Sequence, residues 1–267
     1  MNRSLATRVL PCLLLLLSLL TGCDSNAPEE NDTPPPVIPS EAFTIQTELF
    51  AGSASKAAGA HFINAALRVW PASLALSAHL IVPAVVTAAA LDAGEPALEN
   101  GTFIWTSTAQ TEQNNLSFSL SGKPEGSYID WTMRIRWTNP DTDETEEFTL
   151  FTAQTDPNSK SGSWSLYYPF DGTPVNVLNA EYAITSETKK EIEFSIPEGV
   201  ETYAGSTVRY SQDGDVRTFY WFQSDENQTH TISWNQETKV GSIISTNYND
   251  GEKACWGPSL EDIPCTP

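Results

Sequence analysis

Cations are scarce in this chain. Only 14 Lys+Arg stand against 34 Asp+Glu in 267 residues, a formal charge of −20. Binding a nucleic-acid backbone needs a basic face, so nucleic acid is excluded as a general partner. Histidine is rarer still: His61, His79 and His230 are the only three. No His-Glu-x-x-His pairing exists, and no Gly-x-Ser-x-Gly elbow, so zinc and serine hydrolase chemistry lack their motifs. The glycines sit mainly at turns and build no phosphate-cradling loop. No cofactor motif is present, and the expected role is noncatalytic.

What the chain does carry begins at its N-terminus. Arg3 and Arg8 form a basic start, Val9 to Leu20 is an apolar run, and Leu20-Thr21-Gly22-Cys23 follows. A basic n-region, a short apolar h-region and small residues at the cut define a secretory signal over residues 1–22. The run is too short to span a bilayer as a stable helix, which needs about 20 apolar residues. A cysteine directly after the small-residue site resembles the lipobox of bacterial lipoproteins. That resemblance implies that Cys23 carries diacylglycerol, with acyl chains of the palmitate type, and becomes the first residue of the mature chain. Loss of the two signal arginines leaves 34 acids against 12 bases, a formal −22.

Residues 23–42 read as a tether. Asp24, Glu29, Glu30 and Asp32, followed by Pro34-Pro35-Pro36 and Pro39, favour an extended, solvated segment. Asp directly after the lipidated Cys resembles an inner-membrane retention signal, and an acidic stretch there resembles a surface-export signal. Both destinations stay open. The expected location is the cell envelope, lipid-anchored, facing the periplasm or the cell surface.

Four cysteines are present. Cys12 leaves with the signal and Cys23 takes the lipid, so Cys255 and Cys265 remain. In an oxidising, exported setting an even remainder of two predicts one disulfide closing a short C-terminal loop. The spacing fits no zinc pattern.

Residues 43–267 are read as one domain with a mostly helical part to 95, a β-meander over 96–254 and a disulfide-closed tail from 255. Phe43 to Leu49 suits one short strand. Ser55 to Trp70 is Ala-rich and helix-prone, and Pro71 is expected to end or kink it. Ala72 to Leu91 is apolar at 15 of 20 positions, but Pro83 interrupts it near the middle. Two helical segments packed on a sheet are the expectation, rather than a membrane span.

The texture changes at Gly101. Of 27 aromatics, 23 lie between Gly101 and Trp256, among runs alternating with a period of two. That is the mark of half-buried antiparallel strands. Eleven runs stand out, at 102–109, 115–121, 128–138, 146–155, 162–168, 175–185, 190–196, 206–211, 216–224, 229–235 and 240–247. Asn139-Pro140, Asp171-Gly172, Pro197-Glu198-Gly199 and Asp213-Gly214 punctuate them. In the third run Ile129, Trp131, Met133, Ile135 and Trp137 share one face. The fold class is therefore α+β, mainly β: an up-and-down meander curled into a barrel or half-barrel, with the helical segments filling its apolar side. It differs from an outer-membrane barrel, whose apolar band faces lipid.

The strand count resembles, in shape alone, the helix-covered half-barrels of bacterial lipoprotein carriers. Pro96-Ala97-Leu98-Glu99-Asn100-Gly101-Thr102, Ser161-Gly162-Ser163-Trp164 and the closing Cys255-Trp256 with Cys265 look like a group of uncharacterised bacterial lipoproteins. This second resemblance implies a β-rich fold and no particular activity.

Two charged features have plain readings. Asp141, Asp143, Glu144, Glu146 and Glu147 form the densest acidic cluster. Alternating carboxylates suit Ca²⁺, but the EF-hand glycine and distal Glu are missing, and a solvated hairpin tip is the simpler reading. Arg134 and Arg136 are expected on a wet face balanced by acids. Trp105, Trp131, Trp137, Trp164, Trp221 and Trp234 lie in strands and are core or ligand-facing residues. Three roles follow: binding of a small hydrophobic ligand between sheet and helices, an envelope or cell-surface protein-interaction module, and a carboxylate-dependent hydrolase.

Overall fold

The computed structural model describes residues 33–51, 58–92, 94–110, 115–138, 144–158, 160–170, 173–199 and 203–265. The signal, Cys23 and the tether residues Asp24, Glu29, Glu30 and Asp32 lie outside them, as do Asp141, Asp143 and the Asn139-Pro140 and Asp171-Gly172 turns. The unit that begins at Pro34 is the one described below.

One helix, α1 (Ala60–Asp92), replaces the two expected segments and runs through both Pro71 and Pro83. An interior proline costs a helix about 3 kcal/mol through a lost donor and a clash with the preceding turn. Packing offsets that cost here. Phe62, Ala65, Val69, Ser73, Leu76, Leu80, Pro83 and Thr87 are buried at steps of three and four, a continuous stripe against the sheet. Among the described residues no helix is long and apolar enough to cross a membrane.

The β region is a single antiparallel sheet whose fourteen strands lie in sequence order. It begins with β1 (Ala97–Glu99), β2 (Thr102–Gln110), β3 (Asn115–Glu125), β4 (Tyr128–Thr138) and β5 (Thr145–Asp156). It continues with β6 (Ser161–Phe170), β7 (Thr173–Ser186), β8 (Lys189–Ser195), β9 (Thr207–Asp213) and β10 (Val216–Gln223). It ends with β11 (Gln228–Asn235), β12 (Gly241–Ser245), β13 (Ala254–Trp256) and β14 (Asp262–Ile263). The eleven expected runs correspond to β2 through β12. The additions, β1, β13 and β14, are two or three residues long, too short for a period of two to show. Short terminal strands also blunt the sheet's exposed edges.

The sheet does not close into a barrel, because β1 and β14 pair only with their neighbours in sequence. Yet α1 packs against β2 and β3 near one end and against β11 to β14 near the other. Three β-bulges interrupt the ladder, between Met133 and Arg134, Leu166 and Tyr167, and Ile184 and Ser186. Each adds a residue to one strand and increases local bend and twist. At the first, consecutive Leu150 and Phe151 are both buried.

No strand forms over Phe43–Leu49. The segment makes two short 3-10 turns, Ser40–Phe43 and Glu48–Phe50. Side chains from the sheet serve its carbonyl groups instead of a ladder partner. The Lys190 ammonium donates to the carbonyls of Glu41 (3.4 Å) and Thr44 (2.8 Å). The Arg217 guanidinium holds Gln46 Oε1 at 3.1–3.2 Å. Phe43 then meets Phe151 and Trp164, and Phe50 meets Phe62, Trp234 and Trp256. Ile38 and Ala42 are buried in the same core, so chain assigned to the tether's end already belongs to the domain.

The Cys255–Cys265 disulfide is present, with an S–S distance of 2.05 Å. It closes the loop carrying β14, and that loop holds the start of α1. Asp262 accepts the backbone N–H groups of Ala60 and His61, and Leu260 O accepts that of Gly59. Aromatic packing beside it needs two glycines. Gly122 lies opposite Trp131 and Gly241 opposite Trp256, and a Cβ at either position would collide with the indole.

Candidate functional site

Between the middle of α1 and strands β6 to β10 lies a cavity of about 370 Å³. Its helix wall includes Pro71, Ala72, Ala75, Leu76 and His79. Small side chains on successive turns leave room that a leucine-rich helix would fill. Its sheet wall includes Tyr168 and Phe170 of β6, Phe194 of β8, Val208 of β9 and Trp221 of β10. The bulge opposite Leu166 and Tyr167 adds one residue to β7, and consecutive Val177 and Leu178 both line the space. In a regular strand one of the two would point away. Phe170 is 62% exposed and Tyr203 42% exposed, so two aromatic rings stand partly in solvent on the cavity's border.

Polar groups on this lining are few. His79 Nδ1 lies 3.2 Å from the Tyr168 hydroxyl. Burial lowers the His79 pKa and raises that of Tyr168, so both are neutral near pH 7. Ser206 is already engaged with Ser224, whose hydroxyl lies 3.1 Å away and whose backbone N–H donates at 3.0 Å. None of the described lining residues is Lys, Arg, Asp or Glu.

Two other recesses are wetter. One of about 460 Å³ on the outer face is lined by Glu181, Glu191 and Glu193 together with Tyr128 and Gln154. Another of about 390 Å³ lies beside Pro36, Glu41, Lys160 and Glu187. The cavity beside α1 differs in its apolar lining rather than in its size.

The six tryptophans singled out by sequence separate. Trp105, Trp131, Trp164 and Trp234 are buried core residues. Trp131 Nε1 donates to Thr155 Oγ1 at 2.9 Å and Trp234 Nε1 to Gln236 Oε1 at 2.9 Å. Trp137, at the far end of β4, is only half-buried and donates to Glu146 Oε2 at 3.2 Å. Trp221 alone among the six lines the cavity, while Trp164 stands behind it against Phe194. Sequence reasoning missed His79 and Tyr203 as lining residues. A period of two marks a strand face, but it carries no signal for which apolar residues stay unfilled.

The remaining histidines are structural. His61 Nδ1 contacts the Tyr248 hydroxyl at 2.7 Å. His230, 2% exposed, receives Arg68 Nε at 3.3 Å on Nδ1, with Ser245 Oγ at 2.9 Å from the same nitrogen. Arg68 must donate, so Nδ1 is the bare nitrogen and Nε2 holds the proton. Arg68 also binds Asn64 and Asn247, so through His230 and Asn247 it ties α1 to β11 and to the turn that follows β12.

Among the charged features, Glu147 pairs with Arg136 through Nε at 2.8 Å and with Arg134 at 3.7 Å. Of the acidic cluster, Glu144, Glu146 and Glu147 fall within the described residues. No group of three or more His, Cys, Asp or Glu among the described residues is placed to hold a metal ion.

Comparison of this chain with protein-family models, with curated proteins and with solved structures found no match.

Proposed function

We propose that this chain is an exported bacterial lipoprotein, held in the cell envelope by diacylglycerol on Cys23, whose domain binds a small hydrophobic ligand without catalysis. The observation that carries the reading is the apolar cavity of about 370 Å³ between α1 and β6 to β10. Its size falls within the range of small-molecule sites, and its lining is mostly aliphatic and aromatic. In this reading the sheet curls as a half-barrel around α1, which reaches strands near both ends of the strand order.

Native mass spectrometry of the protein purified from its own host tests the ligand. A co-purified apolar molecule, lost on organic extraction, is the expected result. A protein that emerges empty and leaves Trp221 fluorescence unchanged with long-chain amphiphiles overturns it. The anchor has its own test: Cys23→Ser should abolish lipid labelling and membrane retention, and unchanged fractionation would sink that part.

One observation favours the second reading, an envelope interaction module. Ile63, Leu67, Trp70 and Leu74 follow one another along α1 and are all exposed, a larger apolar stripe than a helix facing water normally shows. Its occupant would be an apolar protein surface in the envelope. Replacing Leu67 and Leu74 by Glu separates the readings. Ligand carriage alone predicts unchanged ligand retention and no lost partner in crosslinking of intact envelopes.

A further inference from the structure

The cavity's polar pair narrows the class of ligand. His79 and Tyr168 come from α1 and β6, 89 positions apart in sequence, and meet on a mostly apolar wall. Both are neutral, and their contact uses one proton. If Tyr168 donates to Nδ1, the imidazole keeps an Nε2–H donor and the phenol oxygen keeps a lone pair. If Nδ1–H donates instead, Tyr168 keeps its O–H donor and Nε2 its lone pair. Either tautomer leaves one donor and one acceptor.

The charge environment is equally restrictive. No described lining residue carries a formal charge. Arg68, three residues before Pro71, is engaged with Asn64, His230 and Asn247. Burial moves the His79 pKa down and the Tyr168 pKa up, and no described lining residue offers either ring a charged partner. A carboxylate or phosphate would enter without a counter-ion, and it is acceptor-only, so the pair's own lone pair would face another. A quaternary ammonium offers no donor, so the pair's lone pair would stay unmatched. A hydroxyl both donates and accepts, and satisfies the pair in either tautomer.

We propose that the ligand is an uncharged amphiphile with one hydroxyl-bearing end, seated with its hydroxyl on His79 and Tyr168 and its hydrocarbon along Leu76, Val177 and Phe194. The inference rests on the hydrophobic-ligand reading and assigns the head group within it.

Competition among three probes of equal chain length tests it: hexadecanol, hexadecanoate and hexadecyltrimethylammonium. They are offered together to the intact protein, and bound species are counted by native mass spectrometry at neutral pH. Hexadecanol should dominate both charged probes by roughly tenfold or more. Tyr168→Phe keeps the ring and removes the hydroxyl, and His79→Phe removes the imidazole. Each should reduce hexadecanol binding by roughly three- to tenfold, the worth of a net hydrogen bond, and leave the melting temperature within a few degrees. If no probe binds the wild-type protein, the hydrophobic-ligand reading itself fails. If the probes bind alike, or hexadecanoate wins, or the variants leave the preference intact, the cavity stands and the head-group assignment falls.

Discussion

The carboxylate of Asp262 accepts the backbone N–H of His61 at 2.8 Å, across 201 positions of sequence. Its second oxygen accepts Ala60 N–H at 3.1 Å. The first turn of a helix has four N–H groups with no partner inside the helix, and a Ser, Thr, Asp or Asn just before the helix normally caps one or two of them. Here Gly59 precedes the helix and has no side chain to offer. Asp262 approaches so closely that a Cβ at position 59 would overlap it. The C-terminal tail thus supplies the cap that the local sequence lacks, with a negative charge at the positive end of the helix dipole.

Asp262→Ala should therefore destabilise the domain by about 1 kcal/mol, within the 0.5–2 kcal/mol range of lost caps. Asp262→Asn should lose less, because it keeps an acceptor. Urea unfolding compares the three proteins. An Ala variant as stable as wild type would show that the cap contributes nothing.

The disulfide and the cap should be coupled. Cys255 and Cys265 close the loop that carries Asp262. Replacing both cysteines by Ser should cost about 2–3 kcal/mol in the chain-entropy picture. Once the loop is open, Asp262→Ala should cost clearly less than it does in the intact protein. A double-mutant cycle reads this directly. Full additivity would mean that the loop keeps its position without the bridge.

His230 predicts an acid limit to stability. Burial first, and Arg68 second, push its pKa from 6.5 down to about 4. Above pH 6.5 the imidazole is neutral in both folded and unfolded chains, and its contribution is fully present. As pH falls from 6.5 toward 4, the unfolded chain takes up a proton that the folded one refuses. Stability then drops by on the order of 3 kcal/mol in total. His230→Asn keeps an acceptor for Arg68 and cannot titrate. Its unfolding free energy should fall less steeply over that window than the wild type's. Parallel pH profiles would refute the assignment.

Filling the cavity should separate binding from folding. Ala75 lines the space and is itself exposed, so a larger side chain there need not displace the core. Ala75→Trp should abolish co-purified ligand and leave the melting temperature unchanged or raised. Retained ligand at full occupancy would place the binding site elsewhere.

Much of this architecture is visible in the sequence because it depends on near neighbours. Eleven strands follow from alternation, and the Asp213-Gly214 hairpin appears as expected, with Gly214 at φ +59°. Arg136 finds Glu147 because they sit directly opposite on paired strands. The errors fall where distant residues decide the outcome. Pro71 and Pro83 are helix breakers by every local rule, yet the buried stripe from Phe62 to Thr87 carries α1 through both. Phe43–Leu49 has strand composition, yet Lys190 takes the Thr44 carbonyl that a ladder would use and Arg217 holds the Gln46 side chain.

The sequence by itself determined which residues alternate, which cysteines pair and where an apolar helix-prone segment lies, since each of these is set by composition or by neighbours along the chain. Only the tertiary structure decided that α1 is unbroken, that Asp262 caps it, and that His79 and Tyr168 meet on the wall of an apolar cavity. Those outcomes depend on the volume left between packed elements and on polar groups brought together across 89 and 201 positions. Neither quantity has a periodic trace in the chain.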